Sequence, residues 1–135
     1  MKKLLLVLAI IVAAVGTTAG AASSAPPVTL HFTKHWVGPG HYVGTVAEGG
    51  TIDMQISNSR VTGDVQHFDA TVQVDSSVGS FTSELSGTFN FVTYRTTLDG
   101  TVTSGWSAGS QVHEEGLLVD PNTYTFEGTL RVMSP

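Results

Sequence analysis

Tyr124-Thr125-Phe126-Glu127-Gly128-Thr129-Leu130-Arg131-Val132 places apolar or small residues at every second position, with polar residues between them. Successive side chains of an extended chain point to opposite sides, so a period of two predicts a strand with one face on a core and one in water. The same alternation recurs upstream. Ile52, Met54 and Ile56 alternate with Asp53, Gln55 and Ser57, and Phe68, Ala70, Val72 and Val74 alternate with Asp69, Thr71, Gln73 and Asp75. No window spaces its apolar residues by three and four, as an amphipathic helix requires. Turn chemistry separates the runs, at Gly38-Pro39-Gly40, Glu48-Gly49-Gly50, Asn58-Ser59, Ser76 to Gly79, Ser104-Gly105 and Asp120-Pro121-Asn122. Strands are therefore expected near 28–37, 41–47, 51–57, 61–75, 80–91, 92–103, 110–119 and 123–133.

Two phase shifts interrupt this pattern. The inward set Val61, Gly63, Val65 gives way to Phe68, Ala70, Val72 across Gln66-His67, which predicts a β-bulge there. Phe89 and Phe91 give way to Val92, Tyr94 and Leu98, which predicts a second bulge or a tight turn.

A short pattern, apolar-x-Gly-(Thr or Asp)-apolar, occurs at Tyr42 to Val46, Val61 to Val65, Leu85 to Phe89, Leu98 to Val102 and Phe126 to Leu130. Were x-Gly the centre of a type I′ hairpin turn, the residue at x would need positive φ, which β-branched Val43 and Thr62 resist. The glycines are therefore expected within strands, on the core face, where a missing side chain lets a sheet coil sharply. Asp99-Gly100 fits either reading. About eight consecutive antiparallel strands with such bends predict one all-β domain, an up-and-down β-barrel, with a two-sheet β-sandwich as the alternative.

The Gly-Thr strands and the segment Leu98-Asp99-Gly100-Thr101-Val102-Thr103-Ser104-Gly105-Trp106-Ser107-Ala108-Gly109 resemble secreted bacterial small β-barrel proteins of the allene oxide cyclase and dirigent-like type. The resemblance covers about the last two-thirds of the chain and implies an eight-stranded barrel with a small interior. It assigns no catalytic residue to any position here.

The N-terminus has the layout of a secretory signal. Lys2 and Lys3 precede an apolar run from Leu4 to Val15, and small residues through Ala19-Gly20-Ala21 suit signal peptidase. The run is shorter than the roughly 18 residues that span a bilayer core, so cleavage after Ala21 is expected rather than a permanent anchor or membrane insertion. This divides the chain into a signal peptide at 1–21, a flexible leader at 22–27 and the all-β domain at 28–133, secreted or otherwise extracytoplasmic. Cleavage removes two of the six basic residues and no acids, taking the net charge from −5 to −7. Such a surface repels phosphate backbones and anionic lipid, which argues against nucleic acid as a partner. The absence of cysteine excludes disulfides, thiolate metal sites and a cysteine nucleophile.

Candidate chemistry is sparse. His31 and His35 share a strand face but stand about 13 Å apart, too far for one ion. His113-x-Glu115 has the strand spacing for two metal ligands, with Glu114 on the opposite face and a third ligand required from His67 or His41; a pair of solvated outer-face residues is the plainer reading. Trp36 and Trp106 abut Gly-rich turns, where a tryptophan stacks on a ligand or plugs the end of a core. Together with Tyr42 they form the candidate ligand-binding set. Ser107 lacks the strand-to-helix elbow of a hydrolase nucleophile, and no cofactor is implied. The leading functional reading is a non-enzymatic barrel holding a small apolar or amphipathic ligand. The alternatives are a structural or adhesive extracellular protein pairing through strand edges, and an isomerase- or hydrolase-type barrel enzyme whose only warrant is fold analogy.

Overall fold

A computed structural model of the chain describes residues 26–133. The signal peptide expected over 1–21 and residues 22–25 of the leader lie outside the described residues. Eight strands follow in chain order: β1 (Val28–Gly38), β2 (His41–Val46), β3 (Gly50–Thr62), β4 (Val65–Ser76), β5 (Gly79–Asn90), β6 (Arg95–Gly105), β7 (Gln111–Asp120) and β8 (Thr125–Val132). Each pairs antiparallel with its sequence neighbour, and β1 pairs with β8 to close the barrel. No helix occurs among the described residues. The barrel, rather than the sandwich, is the architecture.

Alternation dictates which side chains enter. Leu30 and Phe32 from β1, Ile52 and Met54 from β3, Phe68, Ala70, Val72 and Val74 from β4, Leu85 from β5, Leu98 and Val102 from β6, and Leu130 and Val132 from β8 are all buried in one cluster. Four of the five motif glycines sit within strands at inward positions. At Gly87 an added Cβ would lie 1.9 Å from the Thr97 carbonyl oxygen and 2.7 Å from the Leu98 Cα. The neighbouring strand folds over the glycine, so the sheet turns a corner that no side chain would permit. Gly44, Gly100 and Gly128 are crowded by neighbouring backbone in the same way, and Asp99-Gly100 is thereby resolved as strand.

Gly63 departs from that expectation. It occupies the β3–β4 hairpin with φ 61°, and Thr62 pairs with Val65 across it. The central pair is Gly63-Asp64 rather than Thr62-Gly63, so the positive φ falls on the glycine alone, as in a type II′ turn. β-branched Thr62 stays extended, which removes the objection to a hairpin. The phase change expected as a bulge at Gln66-His67 is this turn, and the β3 irregularity lies between Ser57 and Arg60. Val61 is consequently exposed, not inward. The second phase change is also a turn, over Phe91 to Tyr94, leaving Val92 and Tyr94 exposed and starting β6 at Arg95. Tyr124 likewise lies in the β7–β8 turn at φ 51° rather than on the core face.

The hairpins divide between two ends. Those joining β2–β3, β4–β5 and β6–β7 stand with Val28 and Val132 at one end. Trp106 covers this end, packed on Phe81 with ring centroids 5.7 Å apart and lying across Gly79, where a Cβ would meet its ring at 2.5 Å. The β1–β2, β3–β4, β5–β6 and β7–β8 hairpins surround the other end, which is not filled.

Candidate functional site

Lys34 lies in phase with Leu30 and Phe32 on β1, and Glu114 in phase with Val112 on β7, so the pleat that buries their neighbours buries them. Their side chains are 3% and 1% exposed, and Lys34 Nζ donates to Glu114 Oε2 at 2.6 Å. β8 lies between their strands. Lys34 is registered with Phe126 and Glu114 with Leu130, so the two flank Gly128 of β8 from either side.

The lysine has further partners. Nζ stands 3.2 Å from Met54 Sδ and 4.5 Å from the centroid of the Phe32 ring. A sulfur lone pair and an aromatic face both suit a desolvated ammonium. Glu114 is less well served: Oε1 is buried and has no hydrogen-bond partner. Leaving a buried acceptor unpaired costs about 1–3 kcal/mol, more when it is charged, so natural cores rarely retain one without use.

This ion pair forms part of the wall of a cavity of about 90 Å³. Met54, Ile56, Phe68, Phe89, Leu98 and Phe126 supply most of the remaining wall, and Tyr42, Gln66, Phe91 and Tyr124 stand nearer the hairpins. The aromatic side is a continuous edge-to-face chain. Tyr42 meets Phe126 at 5.7 Å, Phe126 meets Phe89 at 5.6 Å, and Phe89 meets Phe91 at 5.2 Å. Such tilted pairs hold one another in place and make a rigid wall. Burial, and secondarily like-charge repulsion from the Tyr124 phenol, raises the Tyr42 phenol above its ordinary value of 10.0.

Around the mouth the surface is unusually apolar. Trp36, Val61, Phe91, Val92, Tyr94 and Tyr124 are exposed there, whereas among the described residues only Val78 of the exposed large apolar residues stands at the Trp106 end. Tyr94 and Tyr124 hold φ values of 61° and 51°. An aromatic residue in the left-handed region is strained by about 1–2 kcal/mol, and such strain concentrates at functional sites.

The candidate residues divide among three places. Trp36 is registered directly opposite Tyr42 and continues the inward row of β1 at the rim. The two share a shallow groove with Ile56 and Gln66, and Tyr42, Ile56 and Gln66 also line the cavity. Trp106 lies at the far end of the barrel. His113 and Glu115 are on the outer wall, where His113 Nδ1 is 2.6 Å from Asp99 Oδ1 and Nε2 is 3.3 Å from Glu115 Oε2. The hydrogen bond to Asp99 raises the His113 imidazole above its ordinary 6.5; burial opposes it as the next largest effect, and the Asp99 charge and then the Glu115 carboxylate add to the rise. His41 and His67 are carried three strands away in either direction around the barrel. Among the described residues no group of three or more His, Asp or Glu is placed to hold one metal ion.

Lys34 and Glu114 were not among the residues singled out from the sequence. The available signal was a charge of each sign at an inward position of an otherwise alternating strand. No protein-family model matches the chain, and no curated protein matches its sequence.

Proposed function

We propose that this protein is a non-enzymatic binding module, exported after signal cleavage, whose barrel holds one small amphipathic molecule at the end opposite Trp106. The observation that carries this reading is a buried Lys34–Glu114 pair in the wall of a mostly apolar cavity whose mouth is ringed by exposed aromatic side chains. A ligand pocket has this composition: mostly apolar walls with a few polar groups that fix orientation. The cavity is small because eight strands leave little interior beyond their own side chains. A ligand therefore places only one end inside and rests the remainder on Tyr42, Phe91, Tyr124 and the groove beside Trp36.

Other features of the chain agree with export and with this class of partner. The Lys2-Lys3 start, apolar run and Ala19-Gly20-Ala21 site support a secreted or periplasmic product, in keeping with the resemblance to secreted bacterial small barrels. An acidic, cysteine-free barrel offers nothing to a nucleic acid. Every strand among the described residues is paired on both sides, so association through strand edges has no free edge to use.

Native mass spectrometry of the protein purified from its own host tests the reading. The expected spectrum is a monomer beginning at Ala22 with a non-covalent small-molecule adduct that is lost on denaturation. Higher oligomers without any adduct would overturn it.

A further inference from the structure

We infer that the cavity selects a neutral hydroxyl-bearing ligand, an alcohol or phenol whose O–H donates to Glu114 Oε1; this rests on the binding reading above. Glu114 Oε2 is taken by Lys34 at 2.6 Å, and Lys34 spends its remaining capacity on Met54 Sδ and the Phe32 ring. Oε1 is left buried without a hydrogen-bond partner, on a residue that lines the cavity together with the hydroxyl-bearing Tyr42, Thr96 and Tyr124 and with Gln66. None of these side chains donates to Oε1, so the donor it lacks is one a ligand supplies.

Charge decides what kind of donor. A cationic amine would bring a second positive charge beside Lys34 Nζ into a site whose one negative charge is already matched. A carboxylate would place an anion against Oε1. A neutral O–H meets the acceptor without changing the charge balance, and its apolar body suits walls made by Phe68, Phe89, Leu98 and Phe126. Size narrows the class further. About 90 Å³ is roughly the share of three liquid waters, room for a hydroxyl and two or three carbons. The rest of the molecule must lie at the mouth, between Tyr42, Phe91 and Tyr124.

Three probes of equal heavy-atom count separate this inference from binding in general: 1-hexanol, 1-methoxypentane and 2-hexanone. Each is titrated into the intact mature protein, with the methyl groups of Met54 and Ile56 followed by NMR. The expected result is shifts at both methyls and at least tenfold tighter binding of 1-hexanol, because the ether and the ketone leave Oε1 unpaired. Equal affinities with shifts at both methyls would overturn the hydroxyl assignment and leave the binding reading intact. Failure of all three to shift either methyl would remove the cavity as a ligand site, and the inference with it. Glu114→Gln supplies a second arm: its amide oxygen faces Lys34 and its N–H₂ faces the cavity, turning an acceptor into a donor. In that variant the preference for 1-hexanol over 2-hexanone should fall to near parity or invert. An unchanged ratio in a folded Glu114→Gln protein would show that Oε1 does not select the ligand. If the variant does not fold, the wild-type series decides alone.

Discussion

A lysine in phase with Leu30 and Phe32, and a glutamate in phase with Val112, put two charges where alternation asks for apolar side chains. Removing such ions from water costs several kcal/mol each, and their attraction only offsets that cost. The Lys34–Glu114 pair therefore gives weak support to stability. If it persists for ligand recognition, replacing both ions by apolar residues should be tolerated, whereas replacing one strands the other. Lys34→Met and Glu114→Leu are each expected to lose about 3–5 kcal/mol, and the double variant to recover to within about 1 kcal/mol of the parent. Urea unfolding of the four proteins measures this, with 1-hexanol affinity lost in all three variants. A double variant as unstable as the singles would show that the pair is held for packing. Local sequence concealed these residues for a physical reason. A charge in a strand is ordinarily on the wet face, and the partnership exists only once β1 and β7 flank β8, a closure that no local window contains.

At the scale of the strand, period-two alternation was legible along the strand interiors because burial on one face acts on every residue of the strand, and it failed at Val61 and Tyr124, where turns intervene. Phe68 to Val74 and Phe126 to Val132 fall inside and outside as their spacing requires. Turn placement was less legible. The same five-residue pattern makes a strand corner at Leu85 to Phe89 and a hairpin at Val61 to Val65. The distinction rests on whether the residue after glycine opens a new strand, and Asp64 suits a turn whereas Thr88 suits a ladder. The corner glycines make a sharp prediction. Gly87→Ala drives a methyl group into the Thr97 carbonyl oxygen, a backbone atom that cannot swing away. The expected loss is about 3 kcal/mol, at or beyond the upper end of ordinary overpacking. Gly38→Ala is the control, since nothing lies within 4 Å of its added Cβ and no positive φ is required there. It should change stability by less than about 0.5 kcal/mol. Thermal unfolding of both variants checks the pair, and similar midpoints would refute the corner reading of Gly87.

Over the whole molecule, the polar outer wall carries its own pH dependence. Three histidines staple it to carboxylates: His31 to Glu48, His41 to Asp53, and His113 to Asp99 and Glu115. For His113, whose folded value is raised above 6.5, the stabilisation is fully present below the unfolded value and is lost as pH rises through the raised folded one. Glu48 behaves oppositely. Hydrogen bonds from the His31 backbone N–H and then its ring lower the carboxyl below 4.5, so its contribution is present above that value and is lost as pH falls through the lowered folded one. Asp69 acts in the same sense, held below 3.8 by hydrogen bonds from Ser86 and then Asn58. Both kinds of contact are fully present together between about pH 4.5 and 6.5, so the barrel is expected to be more stable at about pH 5.5 than at about pH 8.5. His113→Gln isolates the basic limb. It should lower the unfolding free energy from urea titration at about pH 5.5, by less than about 1 kcal/mol because the pair is largely solvated, and leave that at about pH 8.5 nearly unchanged. A loss that is the same at both pH values would mean that His113 stabilises the wall by packing rather than by charge.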